Sequence, residues 1–324
     1  MHIQNDFPLS EVLWYKIGGI AKHLLEVKNA EDLKLALDFV KKNNEKKFLI
    51  CGLGSNLIFS DDYFDGTVIR IASKKQQDKD FQKNDQLVTA FSGAIFDDLI
   101  QYTFKNNLTG LEWAGGLPGT IGAGIRGNVG AFGKEIQDSL FSVKVLEKQG
   151  SGYAPRTLKK NDLNFSYRNS LIKENKKMII ISATFQLHTA YATDIAKAKN
   201  TYINNIAYRR DHHPIEYPTC GSVFKNISNP KQVEKIIITW PDIKEVVSAK
   251  WHGKVSMGYI INRLGFSGLQ IGKMQVSKKH ANFIVNLGDG KANEIIIIIK
   301  EIQDKMQLVF DFTPEVEVEM VVGY

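Results

Sequence analysis

Cysteine is scarce: Cys51 and Cys220 are the only two in 324 residues. That argues against a disulfide framework and rules out a cysteine-rich zinc or iron–sulfur site, and a reducing cytoplasm is the simpler setting. Long apolar runs are also missing. The longest, Ile295 to Ile299, closes at Lys300 and Glu301, far short of the roughly 20 residues that span a bilayer, so no membrane partner is expected. The start, Met1-His2-Ile3-Gln4-Asn5-Asp6, has neither a basic opening nor an apolar core, and no signal peptide is read there. Histidines such as His212-His213 show no metal-ligand spacing, so no metal site is expected.

What is present is ordinary for a globular chain: 43% hydrophobic and 24% charged residues, with a net charge of +7. The basic excess is either a solvated surface or an attraction for anions. Its lysines are scattered among Glu, Asp and Asn, and no nucleic-acid motif appears, so a phosphorylated small molecule suits it better than nucleic acid. The pattern is α+β rather than a βαβ series. Strands are read at Leu24–Val27, Phe48–Cys51, Val68–Ile71, Val143–Leu146, Met178–Ile181, Phe283–Asn286 and Glu315–Val322. Helices are read at Ala30–Lys42, with Leu33, Leu35, Leu37 and Val40 near one face, at Ala192–Arg210 with a basic end that suits its dipole, and at Lys291–Leu308. Domains are expected at 1–72, 73–210 and 211–324. A long segment, Ile227 to Lys254, belongs to the last domain or forms a lid.

Two glycine-rich stretches carry chemistry. Gly52-Leu53-Gly54-Ser55-Asn56 follows a buried strand, where backbone N–H groups can close on an anionic oxygen. A tight turn is the plain alternative, and the third glycine of a Rossmann fingerprint is missing. The stretch Gly115 to Gly133 is denser. Such glycine content carries an entropic penalty, and close approach of backbone to a flat or phosphorylated ligand would offset it. Two such cradles suggest a dinucleotide bound in extended form.

Ordered blocks across nearly the whole chain then match one family. They are Ile50 to Ser60, Asp65 to Arg70, Gly110 to Asp138, Phe165-Ser166-Tyr167-Arg168-Asn169-Ser170, Glu216 to Asn226, Gly268 to Asn286, and Pro314-Glu315-Val316. The chain resembles the UDP-N-acetylenolpyruvoylglucosamine reductases, in the branch that lacks an extra tyrosine-bearing loop. The resemblance implies an FAD-binding fold of the vanillyl-alcohol-oxidase type in two lobes, with a C-terminal α+β substrate-binding domain. It implies hydride passage from NADPH through FAD to C3 of an enolpyruvyl sugar nucleotide, with a proton added at C2, in a monomer.

The same resemblance implies the site. Gly52, Gly54, Ser55, Asn56, Leu57, Pro118, Gly119, Thr120, Gly122, Asn128, Gly130 and Ala131 would hold FAD. Arg168 would bind the carboxylate toward which charge develops, since a guanidinium can grip it in bidentate fashion. Ser222 would give the proton, Glu315 would orient and polarise the substrate, and Tyr167, Lys225, Asn226, His280 and Asn282 would bind it. Glu315, Glu317 and Glu319 alternate with apolar residues, so a continuous strand would turn all three to one side, and Glu317 is an alternative to Glu315. Cys220 reads as a packing residue. The rival readings are an oxygen-using oxidase on the same fold, disfavoured because Gly115 to Gly133 has no His or Cys to tether FAD, and a nucleotide-binding protein without catalysis.

Overall fold

The structure, a computed structural model, describes residues 1–74, 78–150, 152–249 and 251–321. The chain forms two compact units. The first comprises Met1–Phe7, Ala21–Leu53 and Asp65–Arg209; the second comprises Pro8–Ile20, Gly54–Phe64 and the chain from Arg210 onward. Two short segments within 1–72 therefore belong with the C-terminal part. Helices and strands mix along the chain, and two of the larger sheets are wholly antiparallel, which is the expected α+β class.

The first unit holds two sheets. One orders its strands His2–Pro8, Ile20–Val27, Phe64–Ile71 and Phe48–Cys51, the last two parallel. The helix Ala30–Lys42 covers it. Asn29 caps this helix, accepting from Asp32 N–H at 2.8 Å, and Glu31 and Asp32 face its positive end. Leu33, Ala36, Leu37 and Val40 are buried at helical spacing, whereas Leu35, expected near the same face, is 53% exposed; at 100° per residue it falls on the opposite side of the helix. The second sheet is antiparallel, in the order Gly152–Lys159, Leu140–Gln149, Met178–Gln186, Leu87–Phe91 and Phe81–Asn84. Leu25, Val27, Leu33 and Ile69 share a core cluster with Ile179 of this sheet, so the two sheets pack together.

The second unit is built on an antiparallel sheet ordered Thr219–Ser222, Phe283–Asn286, Met274–Val276 and Gln270–Ile271. Against it lies the helix Ala292–Phe310, whose Ile295, Ile298, Ile299, Ile302 and Met306 are buried in the period that apolar packing demands. Tyr15, Ile17 and Ile58 join this core from the early segments. The segment 227–254 contributes to this core, as part of the last domain. Its helices Pro230–Thr239 and Lys244–Ala249 bury Val233, Ile236 and Val247 in the same core.

The terminal strand also needs correction. Residues 315–317 lie antiparallel to 223–225, with Lys225 N–H donating to Glu315 O and Glu317 N–H to Val223 O. The chain bends at Val318, and Glu319–Val321 then pairs parallel to Leu57–Phe59. One continuous strand is impossible because the two halves serve different partners, so a single alternation cannot run through all three glutamates. Val322, its expected end, lies outside the described residues.

Candidate active site

In the first unit, the strand Phe48–Cys51 delivers Gly52 onto Thr120, whose Oγ1 and Cγ2 occupy the space a Cβ would take. At Gly122, a Cβ would come within 2.9 Å of Ser92 Cβ, and the Gly122 N–H donates to Ser92 O at 2.7 Å. Gly115 and Gly116 lie against Tyr202, Ile206 and Arg209 of the helix Ala192–His212. These glycines bring chain against chain. At these four glycines the space beside Cα is already filled by protein, which by itself requires glycine there. Thr120 is itself buried, and the chain beside Pro118 turns through Gly119 at φ 137°.

Asn128 is fully buried in a left-handed conformation, φ 43°. Its Nδ2 donates to Glu135 Oε2 at 2.8 Å and to Ser166 O at 3.0 Å, while its Oδ1 has no hydrogen-bond partner among the described residues. Gly130 O accepts from Arg168 Nη2 at 3.1 Å, and Ala131 pairs with Lys134. Arg168 stands over the Tyr167 ring at 5.2 Å. The structure thus gathers Asn128, Gly130, Tyr167 and Arg168.

Sequence reasoning missed Arg209, which reads only as part of the basic end of the helix. It is 9% exposed, with Nε donating to Gly115 O at 3.0 Å and the guanidinium 5.2 Å from the Phe132 ring. Its Nη2 is buried with no hydrogen-bond partner among the described residues, and burial pushes its pKa down to about 10. A buried cation with an unmet donor calls for an anionic acceptor. No local signal distinguishes such an arginine from its neighbour Arg210.

In the second unit, Gly54 adopts φ 73°, with Leu13 against it. Asn56 O accepts from Glu319 N–H at 3.1 Å, and Leu57 pairs with Glu319; Ser55 lies in the same loop. Ser222 ends a strand whose pairing shifts between Thr219 and Ser222, with the left-handed Gly221 (φ 81°) making the irregularity. Lys225 forms an ion pair with Glu315, whose side chain is 69% exposed. This pairing follows from the antiparallel register of 223–225 against 315–317. Asn226 Oδ1 accepts from Met257 N–H at 3.0 Å, at the start of a helix.

Two expected ligand groups also make scaffold contacts. Asn282 is 3% exposed, and its amide clasps Phe224, accepting from its N–H at 3.0 Å and donating to its carbonyl at 2.9 Å. His280 packs on Phe283 at 4.8 Å and His213 at 5.5 Å, and burial holds its imidazole below the ordinary value. Cys220 is buried, its thiol pushed up to about 12 by burial, which suits a packing role. No group of three metal-ligating side chains occurs among the described residues, and none of their helices is long and apolar enough to cross a membrane.

Residues 21–152 match the family model described as an FAD binding domain. With the glycine loops and the buried, unmet donor of Arg209, this defines a flavin-dependent oxidoreductase. Residues 213–321 match the C-terminal domain of UDP-N-acetylenolpyruvoylglucosamine reductase. The chain is 34% identical to the enzyme of that name from Lactobacillus gasseri over 98% of its own length and 94% of the relative's. Identity to the Caldicellulosiruptor saccharolyticus enzyme is 32%, over 98% and 91%. Its fold is shared with the Thermus caldophilus UDP-N-acetylenolpyruvylglucosamine reductase crystal structure, with a TM-score of 0.74 at 24% identity and 99% coverage of both chains. The chain belongs to the UDP-N-acetylenolpyruvoylglucosamine reductase family.

Proposed function

We propose that this chain reduces UDP-N-acetylglucosamine enolpyruvate to UDP-N-acetylmuramate with NADPH, a cytoplasmic step of peptidoglycan precursor synthesis. When bound, FAD supplies the redox chemistry, taking hydride from NADPH and passing it to C3 of the enol ether. Gly52, Gly54, Ser55, Asn56 and Leu57 form one part of its cradle. Pro118, Gly119, Thr120, Gly122, Asn128, Gly130 and Ala131 form the other. The glycines act largely by letting the loops close on neighbouring chain, and Arg209 adds a cation for the diphosphate. We assign 1–72 and 73–210 to flavin binding and 211–324 to the substrate.

The reacting end needs a cation for the carboxylate and a proton for C2. Arg168 takes the first part, with Tyr167 stacked beneath it. Ser222 takes the second. A serine is a weak acid, so a neighbouring cation must hold the developing alkoxide; Lys225, three residues on, is that cation, and Glu315 sets its position. Asn282 acts through Phe224 by holding this segment in place. Asn226 and His280 border the sugar-nucleotide.

The observation that carries the reading is the join of Lys225 to Glu315 on one antiparallel patch beside Ser222. An oxygen-using oxidase requires no such acid–cation–carboxylate set. The test is spectroscopic. NADPH added anaerobically to the purified yellow protein should bleach the flavin, and the enolpyruvyl sugar nucleotide should restore the oxidised spectrum without oxygen. A colourless protein, or recovery only on admitting air, would overturn the proposal.

A further inference from the structure

Arg168 adopts φ 58°, a left-handed conformation that ordinary side chains rarely take and that persists only where its surroundings over-determine it. The surroundings are explicit. Ser166 and Asn169 exchange backbone hydrogen bonds at 3.2 and 3.0 Å, closing a turn with Tyr167 and Arg168 at its tip. Asn128 Nδ2 holds the Ser166 carbonyl. Lys173 Nζ reaches back to donate to the Arg168 carbonyl at 2.9 Å. Lys173 is itself fixed, because its N–H donates to Ser170 Oγ, and that hydroxyl donates to Arg126 O at 2.7 Å.

We infer that Lys173 is a positioning residue: its ammonium locks the Arg168 peptide in the left-handed conformation and so aims the guanidinium at the substrate carboxylate. A charge-assisted hydrogen bond is among the stronger ones available to a carbonyl. Without it, the turn keeps the Ser166–Asn169 and Asn128 bonds but loses the contact that fixes the Arg168 carbonyl, so the peptide shifts and the guanidinium is displaced from Gly130. The inference rests on the assignment of Arg168 in the proposed function.

The test is stopped-flow kinetics of the two half-reactions in the FAD-loaded enzyme. Lys173→Met keeps the aliphatic stem and should slow reoxidation by the enolpyruvyl substrate about 10- to 100-fold, the scale of a small misplacement, leaving reduction by NADPH within about twofold. Lys173→Arg, which keeps a charged donor, should recover most of that rate. In an Arg168→Met background, Lys173→Met should add nothing, because both act through one group. Additive effects, or equal slowing of both half-reactions by Lys173→Met with no recovery in Lys173→Arg, would overturn the inference while leaving Arg168 in its role. If Arg168→Met itself reoxidised at the wild-type rate, the assignment of Arg168 would fall, and this inference with it.

Discussion

Asp61 caps the helix that begins at Ala292: its carboxylate accepts from the N–H of Ala292 at 3.0 Å and of Asn293 at 3.2 Å, from 231 and 232 residues earlier in the chain. A negative charge on unpaired N–H groups satisfies them and complements the helix dipole. Asp61→Ala should lower unfolding stability by about 1–2 kcal/mol, and Asp61→Asn by less, since the amide oxygen still accepts. Urea titration of the flavin-free protein at neutral pH measures both.

Gly52 and Thr120 make the second prediction. A methyl group at residue 52 overlaps the Thr120 side chain, so Gly52→Ala must push the two glycine loops apart. The variant should purify with markedly less bound flavin and lose about 1–3 kcal/mol of stability, the usual effect of overpacking. Thr120→Ala removes both Oγ1 and Cγ2, leaving Cβ at 3.4 Å. The double variant should therefore regain flavin, read as the ratio of flavin to protein absorbance. No recovery in the double variant would show that Gly52 matters to the ligand rather than to Thr120.

Local signals explain which parts of this architecture were legible. The bounds of Ala30–Lys42, Phe48–Cys51 and Phe283–Asn286 coincide with those of the structure, because apolar spacing and cap chemistry act over a few residues. The bend at Val318 was hidden, since it arises from partners at 223–225 and 57–59 that no local pattern contains. The return of Pro8–Ile20 and Gly54–Phe64 to the second unit was hidden for the same reason. In the candidate site, Arg168, Ser222 and Glu315 stand in distinctive motifs. Arg209 does not: at a basic helix end it cannot be told from Arg210 until its neighbours Gly115 and Phe132 are placed.

His280 makes stability depend on pH. The N–H of Asn282 donates to its Nδ1 at 3.3 Å, an acceptor that exists only in the neutral ring. Burial lowers the imidazole below its ordinary value of 6.5, and the neighbouring His212 acts in the same direction. The folded chain therefore binds this proton less readily than the unfolded one, and stability rises with pH. The contribution is complete above about 6.5 and is lost as pH falls through the lower folded value. Urea midpoints measured from pH 8 down to pH 5 should fall, and His280→Gln should flatten that slope. An unchanged slope would mean that His280 keeps its ordinary titration.

Glu315 and Glu317 lie on the same short segment yet in different surroundings, and this decides the last prediction. Glu315 is exposed and paired with Lys225. Glu317 is half-buried, donates its N–H to Val223 O at 2.8 Å, and its charge raises the Cys220 thiol, secondary to burial. An exposed ion pair contributes only about 0–1 kcal/mol, so Glu315→Gln should leave stability nearly unchanged. It removes the charge paired with Lys225, and under the proposed role of that pair substrate reduction should fall roughly 10²-fold or more, the scale of a misplaced proton donor. Reduction of the flavin by NADPH should be spared. Glu317→Gln should do the opposite: catalysis near wild type, with any change in stability arising from its buried setting. Glu319→Gln keeps the backbone N–H that donates to Asn56 O and serves as the third variant for comparison. Half-reaction rates and urea midpoints for the three variants decide the matter. A large kinetic defect in Glu317→Gln with none in Glu315→Gln would move the catalytic carboxylate two residues along the chain.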